Sequence, residues 1–359
     1  MTTAPILPTT SATRSASDAA VAASPAVGPA ASPVPSPAAS SRRLAVVAGH
    51  TPCPPAQAGC NSSSPSMDMP GEASRPRART APAKAGAEIR GDVLLTLAQL
   101  RLATPHQLKA LLLPHHQDTD YIRRALRNLR ADALVGRTHR AQQSYWYCTP
   151  AGLAEAAASG ELAPKAGRTT GQRAAAKTGL REHALALADT VIAFHHAGAA
   201  DQADWQVEVA HPTPAGSLVP DGVVLLTGGS HAFVEIDRTM SYARLLAKLE
   251  RYDAYRNAPA SGRGNAARAP RSHWQETYAG PSLERSFPPL LFVFAPAQRR
   301  AAPATREAAF HDRARPNWRI TVATTTLPLL TAHGPERPVW RVVGHGEDRR
   351  PLAALPAPR

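Results

Sequence analysis

The stretch VPDGVVLLTGGSHAFVEIDR, residues 219–238, decides how the second half of the chain is read. Two strand candidates, 218–226 and 231–237, flank Gly228-Gly229, which turns the chain. Glu235 and Asp237 stand two apart on the second strand, so both project to one face. A three-residue connection, Thr227-Gly228-Gly229, sets Asp221 opposite Glu235; a two-residue Gly-Gly loop puts it on the other face. Asp221, Glu235 and Asp237 at one strand corner would supply oxygen ligands for one or two Mg²⁺ ions. A metal there activates water and stabilises charge on a phosphodiester. The plainer alternative is a surface hairpin carrying ordinary carboxylates.

Working outward, LREHALALADTVIAFHHAG (180–198) reads as a helix, followed by a strand at 205–211. After the hairpin, a helix near 240–257 has the apolar stripe Tyr242, Leu245, Leu246, Leu249 and Tyr252. Lys248 lies at the edge of that stripe. It either reaches the sheet corner or snorkels over the sheet. PLLFVFA (289–295) is a buried strand, REAAFHDRAR a helix and RITVATTT a last strand, with 331–359 as a C-terminal loop. This order implies an α/β domain over 180–330 with a central mixed sheet flanked by helices. Glu182 and His183 open its first helix, where a carboxylate is favoured by the helix dipole.

Residues 88–158 have a different pattern. Ile89, Val93, Leu94, Leu97 and Leu100 recur at helical spacing, and Thr104-Pro105 caps a short second helix. A third helix follows, with Ile122, Ala125, Leu126 and Leu129 on its apolar side. RTHRAQQSYWYC reads as a hairpin, and Thr149-Pro150 starts a last helix. Three helices, a hairpin and a helix is the winged helix-turn-helix order. The third helix carries Arg123, Arg124, Arg127 and Arg130, and the hairpin adds Arg137 and Arg140. A cationic face beside an apolar one suits phosphate and guanine contacts on double-stranded DNA. Its alternative is a solvated face of a protein-interaction module.

Residues 1–87 are an Ala/Pro/Ser-rich tail too poor in apolar area to order itself, and 159–179 is a basic linker. Lys plus Arg is 41 against 27 Asp plus Glu, which favours a polyanionic partner, nucleic acid first. Three cysteines make no disulfide framework. The start shows no secretory leader and no run of 18 apolar residues occurs, so a cytoplasmic protein without a membrane span is expected.

As a set these features resemble two known groupings. Pro220-Asp221-Gly222 with the downstream Glu235-x-Asp237 resembles the PD-(D/E)xK, restriction-endonuclease-like superfamily. The resemblance implies that the acidic residues hold metal while a lysine steadies the transition state. Here Asp237 stands where that lysine is expected, and Lys248 is the nearest substitute. Over roughly 88–300 the chain is similar to the bacterial replication-relaxation protein family. That similarity rests on Tyr-x-Tyr-x-Thr-Pro-Ala-Gly at the winged-helix exit, Arg181-Glu182-His183, Val219-Pro220-Asp221-Gly222, Phe233–Arg238 and Lys248-Leu249…Tyr252-x-x-Tyr255. It implies plasmid-linked DNA replication or relaxation. Two readings follow. One is a Mg²⁺-dependent nicking nuclease in which Asp221, Glu235 and Asp237 hold metal and Lys248 or Arg238 supports the phosphate. The other is a non-enzymatic DNA-binding regulator with an inactive nuclease-like domain. A homodimer is compatible with both, and a protein-interaction scaffold is a third reading.

Overall fold

Helix α1 (Pro82–Leu100) buries Val93, Leu94, Leu97 and Leu100, the stripe visible in its spacing. It opens the described part of this computed structural model, which covers residues 82–140, 142–160, 171–214, 216–259, 271–278, 286–317 and 319–358. The tail expected to be disordered lies outside the described residues, apart from the first turns of α1. Helix α2 (Pro105–Leu112) starts on a reciprocal cap. The Thr104 hydroxyl accepts from the Gln107 N–H at 3.2 Å, and the Gln107 side chain accepts from the Thr104 N–H at 3.0 Å. Helix α3 (Asp120–Ala131) buries Ile122, Ala125, Leu126 and Leu129 and leaves its arginines outside. Strands β1 (Val135–Arg140) and β2 (Gln143–Cys148) pair antiparallel, with Val135 opposite Cys148 and Arg140 opposite Gln143. Thr149 caps α4 (Pro150–Ala158) by accepting from the Gly152 N–H.

The stretch expected to be a linker contains α5 (Gly171–Ala176), packed against β2 and against α6 (Thr178–His196). Small residues allow this. A Cβ on Gly171 would meet the Arg101 carbonyl oxygen at 2.2 Å, and Ala174 and Ala175 bury beside Leu102 and Tyr145.

After α6 come β3 (Trp205–Val207), β4 (His211–Thr213), β5 (Gly216–Leu218), β6 (Gly222–Leu225) and β7 (His231–Asp237). Then follow α7 (Tyr242–Arg256), α8 (His273–Tyr278), β8 (Leu290–Phe294), α9 (Pro303–His311), β9 (Val322–Thr326), α10 (Leu327–His333), β10 (Trp340–Val342) and β11 (Arg349–Arg350). The protein is α+β, with a seven-stranded mixed sheet ordered β11-β10-β9-β8-β7-β6-β3. β7, β8 and β9 run parallel, and the outer pairs are antiparallel. β4 and β5 form a separate ribbon, so the strands expected at 205–211 and 218–226 are each interrupted. Glu208, at φ +51°, breaks the first.

The C-terminus is not the loop the sequence suggests. β10 and β11 extend the sheet, and Trp340 is fully buried. These strands are too short for alternation to reveal, and Gly344 and Gly346 between them read as loop.

Alternation on β7 sorts the core. Val234 and Ile236 join Leu187, Val191, Phe194 and Trp340 in one cluster, while Phe233 joins Leu245, Tyr252, Phe292 and Phe310 in the other. The first cluster continues without a break into α1, α2 and α3. Hydrogen bonds cross the same boundary. The Gln99 side chain donates to the carbonyls of Gln202 at 2.6 Å and Trp205 at 2.7 Å. The Gln107 side chain donates to Asp189 at 2.7 Å and to the Leu185 carbonyl at 3.1 Å. The 88–158 and 180–330 segments therefore pack as one body.

Candidate functional site

The β6–β7 turn fixes the sheet corner. The Leu226 N–H donates to the Ser230 carbonyl at 2.8 Å, so the connection is Thr227-Gly228-Gly229, with Gly229 at φ +83°. Gly222 then pairs with Val234, and the same register carries Asp221 opposite Glu235. Asp221 Oδ2 accepts the Ile236 N–H at 2.8 Å, and its Oδ1 lies 3.2 Å from His183 Nε2 on α6. Glu235 is fully buried: Oε1 accepts from the Tyr252 hydroxyl at 2.5 Å, and Oε2 is ion-paired with Lys248. Lys248 and Tyr252 are four apart on α7, so one helix face delivers both.

The environment separates these groups electrostatically. Burial pushes the Glu235 carboxyl up to about 8, with Asp221 adding to the rise and Lys248 opposing it. Burial would also raise Asp221, but His183, Lys248 and the hydrogen bonds outweigh it and hold that carboxyl well below the usual range. Burial alone would lower both His183 and Lys248. Asp221 outweighs it at His183, and Glu235 with Asp221 outweighs it at Lys248, so both are raised.

Asp237 does not join this cluster. It shares the Glu235 face but lies one pleat repeat further along, where Arg306 from α9 pairs with it and the Met240 N–H donates to it at 3.0 Å. Arg238 pairs with Glu182 and donates to the Pro296 carbonyl at 3.0 Å, so it is also committed elsewhere. The three-carboxylate set therefore divides into Asp221 with Glu235 on one side and Asp237 on the other. All four oxygens of Asp221 and Glu235 already hold His183, a backbone N–H, Lys248 or Tyr252. Among the described residues no group of three or more His, Cys, Asp or Glu is disposed to hold a metal ion. In this arrangement the residues do not fit the expected Mg²⁺ site.

Sequence reasoning placed Tyr252 in the core stripe and missed its bond to Glu235. Its spacing of four from Lys248 was the available signal. Nothing local pointed to Arg306, which lies 69 residues from its partner.

The second constellation is exposed. Arg123 and Arg127 of α3, Arg137 and Arg140 of β1, and Gln142, Gln143 and Ser144 at the hairpin tip line one cleft. Tyr145 and Trp146 form its buried floor, and the Arg137 guanidinium stacks 5.7 Å from the Trp146 ring centre. Arg124 and Arg130 are exposed on the same helix. None of these six arginines pairs with a carboxylate among the described residues, whereas Arg90, Arg101, Arg238, Arg306 and Arg349 all do.

Fold and sites together define an α+β protein in which a basic helical module is packed onto a seven-stranded mixed sheet. The family model described as Replication-relaxation matches residues 94–268 of the chain. The match takes in α2, α3, the β1–β2 hairpin, the Asp221–Glu235 corner and α7. No curated protein and no solved structure matches the chain. Among the described residues no helix is long and apolar enough to cross a membrane.

Proposed function

We propose that this is a DNA-binding protein of plasmid replication or relaxation, in which α1–α4 and the β1–β2 hairpin form a winged helix that docks duplex DNA. The observation that carries the reading is the set of six arginines on α3 and β1 with no carboxylate partner among the described residues. The buried Arg238 and Arg306 are each paired with a carboxylate, whereas these six are exposed to solvent and converge from two elements. Phosphates would replace their counter-ions, and released counter-ions make binding fall steeply with salt. With about five phosphates neutralised, the log–log salt slope is about −4 to −5. The test is duplex binding by the full chain across a salt series, with all six arginines changed to Ala in a second protein. An unchanged slope in that variant would exclude this face as the interface.

A second reading, favoured by the convergence of Asp221, Glu235 and Lys248, is that the sheet is restriction-endonuclease-like and acts on the DNA backbone. Two facing carboxylates pushed in opposite directions by their environments, Asp221 held low and Glu235 raised, are suited to moving a proton. Lys248 beside them supplies fixed positive charge for a phosphate. Incubation of supercoiled plasmid with the wild type and with Glu235→Gln tests it. Nicking that needs Glu235 supports an enzyme. Intact plasmid under all divalent-ion conditions leaves the regulator reading in place.

A further inference from the structure

We infer that α3 divides its polar surface between two tasks: Arg123 and Arg127, with the hairpin arginines, clamp phosphates, while the adjacent ridge of Asp120, Arg124 and Asn128, flanked by Tyr121, reads base edges. This rests on the duplex-binding reading above and assigns roles within that surface.

The helix geometry separates the two sets. Residues 123 and 127 form one i, i+4 ridge, and residues 120, 124 and 128 form the next ridge around the helix. Both ridges are exposed, but only the first lines the cleft shared with β1. The charged side chains of that cleft are guanidiniums, a pure donor set matched to phosphate oxygens. Its aromatic floor is buried, with Tyr145 at 8% and Trp146 at 4% exposure, so no ring face is open for a base to stack on.

The neighbouring ridge has the opposite character. Asp120 is an exposed carboxylate on a surface otherwise rich in arginine, and it would repel a phosphate. A carboxylate does accept from the cytosine amino group, as arginine pairs with guanine and asparagine with adenine. The ridge thus holds three different hydrogen-bonding types side by side, which a backbone clamp has no use for. Tyr121, at 55% exposure, is one of only two large hydrophobic residues exposed among the described residues, and its ring meets His116 edge-on at 5.4 Å. It stands in the first turn of α3, the end of a recognition helix that approaches the groove floor.

The test selects preferred duplexes from a random pool with the full chain, then compares three proteins on the best duplex and a scrambled one. Asn128→Ala carries no charge change. It is expected to weaken the preferred duplex by about 5- to 150-fold and leave the scrambled duplex and the salt slope unaltered. Arg123→Ala with Arg137→Ala is expected to weaken both duplexes equally and reduce the slope by about 2. Arg124→Ala is expected to lose discrimination at a guanine step. Discrimination unchanged in Asn128→Ala and Arg124→Ala, or lost in the cleft variant, overturns the division. A pool that stays random while the wild type binds tightly also overturns it and leaves the duplex-binding reading standing. No duplex binding by the wild type removes that reading itself. All four positions are exposed, and a thermal melt checks that each variant is folded.

Discussion

The α3–hairpin face and the β6–β7 corner handle charge in opposite ways. On α3 and β1, six arginines stand in water without a carboxylate partner among the described residues. At the corner and just beyond it, Asp221, Glu235 and Asp237 are buried or nearly so: Glu235 and Asp237 are each met by a cation and Asp221 by the His183 ring. Water solvates and salt screens the first set, so leaving it unpaired costs the fold little and keeps it available to a polyanion. The second set has lost its hydration, and only its partners make burial tolerable. Changes at the corner should therefore show first in stability, and changes on α3 first in binding.

The largest expected effect is at Asp237 and Arg306, with side-chain exposures of 0% and 6%. Asp237→Ala leaves a buried guanidinium unpaired and should cost about 3–5 kcal/mol in urea unfolding. Removing both charges, with Asp237→Leu and Arg306→Met, should recover most of that loss. A cost under about 1 kcal/mol for Asp237→Ala would mean that burial does not make this pair interdependent, and the contrast with α3 would collapse.

Acid provides the next test. Burial holds His211 down to about 4, helped by the nearby His273 and opposed by backbone hydrogen bonds. The unfolded chain then takes up a proton near 6.5 that the folded chain refuses until about 4. Stability is thus lost as pH falls across that window, by about 3 kcal/mol in total from this one group. Glu235 runs the other way: its carboxyl is raised from 4.5 to about 8, so its contribution is full below 4.5 and is lost as pH rises towards 8. Stability measured against pH should slope on both sides of neutrality. His211→Gln should make the acid limb shallower, with His311, also held down to about 4 by burial, sustaining the rest, and Glu235→Gln should flatten the other limb. A wild-type profile flat from pH 4 to 8 would contradict both shifts.

Which of these features the sequence announced follows from how local their causes are. The α3 stripe, the Thr104 cap and the shared face of Glu235 and Asp237 depend on spacing within a few residues, and all three are in the structure. The facing of Asp221 and Glu235 turned on loop length, a choice between two alternatives that the Leu226–Ser230 hydrogen bond and the β6–β7 register resolve. The pairing of Asp237 with Arg306 was not legible because the partner comes from α9, beyond any pattern of spacing. The joint between the helical module and the sheet was equally hidden. Nothing in the spacing around Gln99 or Gln107 marks them out, yet both donate across the chain. Gln107→Ala removes half of the α2 cap and two cross-segment hydrogen bonds, and should cost about 1–2 kcal/mol in the same unfolding assay. No loss would mean that the apolar cluster alone joins the two segments.

The smallest effect is the most discriminating, because the comparison requires it to be nearly zero. Arg123 and Arg127 are like charges four apart on α3 with no carboxylate partner among the described residues. Such a pair costs an exposed helix about 0.2–0.5 kcal/mol at low salt, and alanine is the better helix former. Arg123→Ala should therefore leave stability unchanged or raise it by a few tenths of a kcal/mol at low ionic strength. The gain should shrink as salt screens the repulsion. Arg137→Ala should behave differently, losing about 0.5–1 kcal/mol because its guanidinium rests on the Trp146 ring. Urea unfolding of both variants at low and high salt checks the pair. A clear, salt-independent loss in Arg123→Ala would make that arginine a structural residue, and the face could no longer be read as charge held ready for DNA.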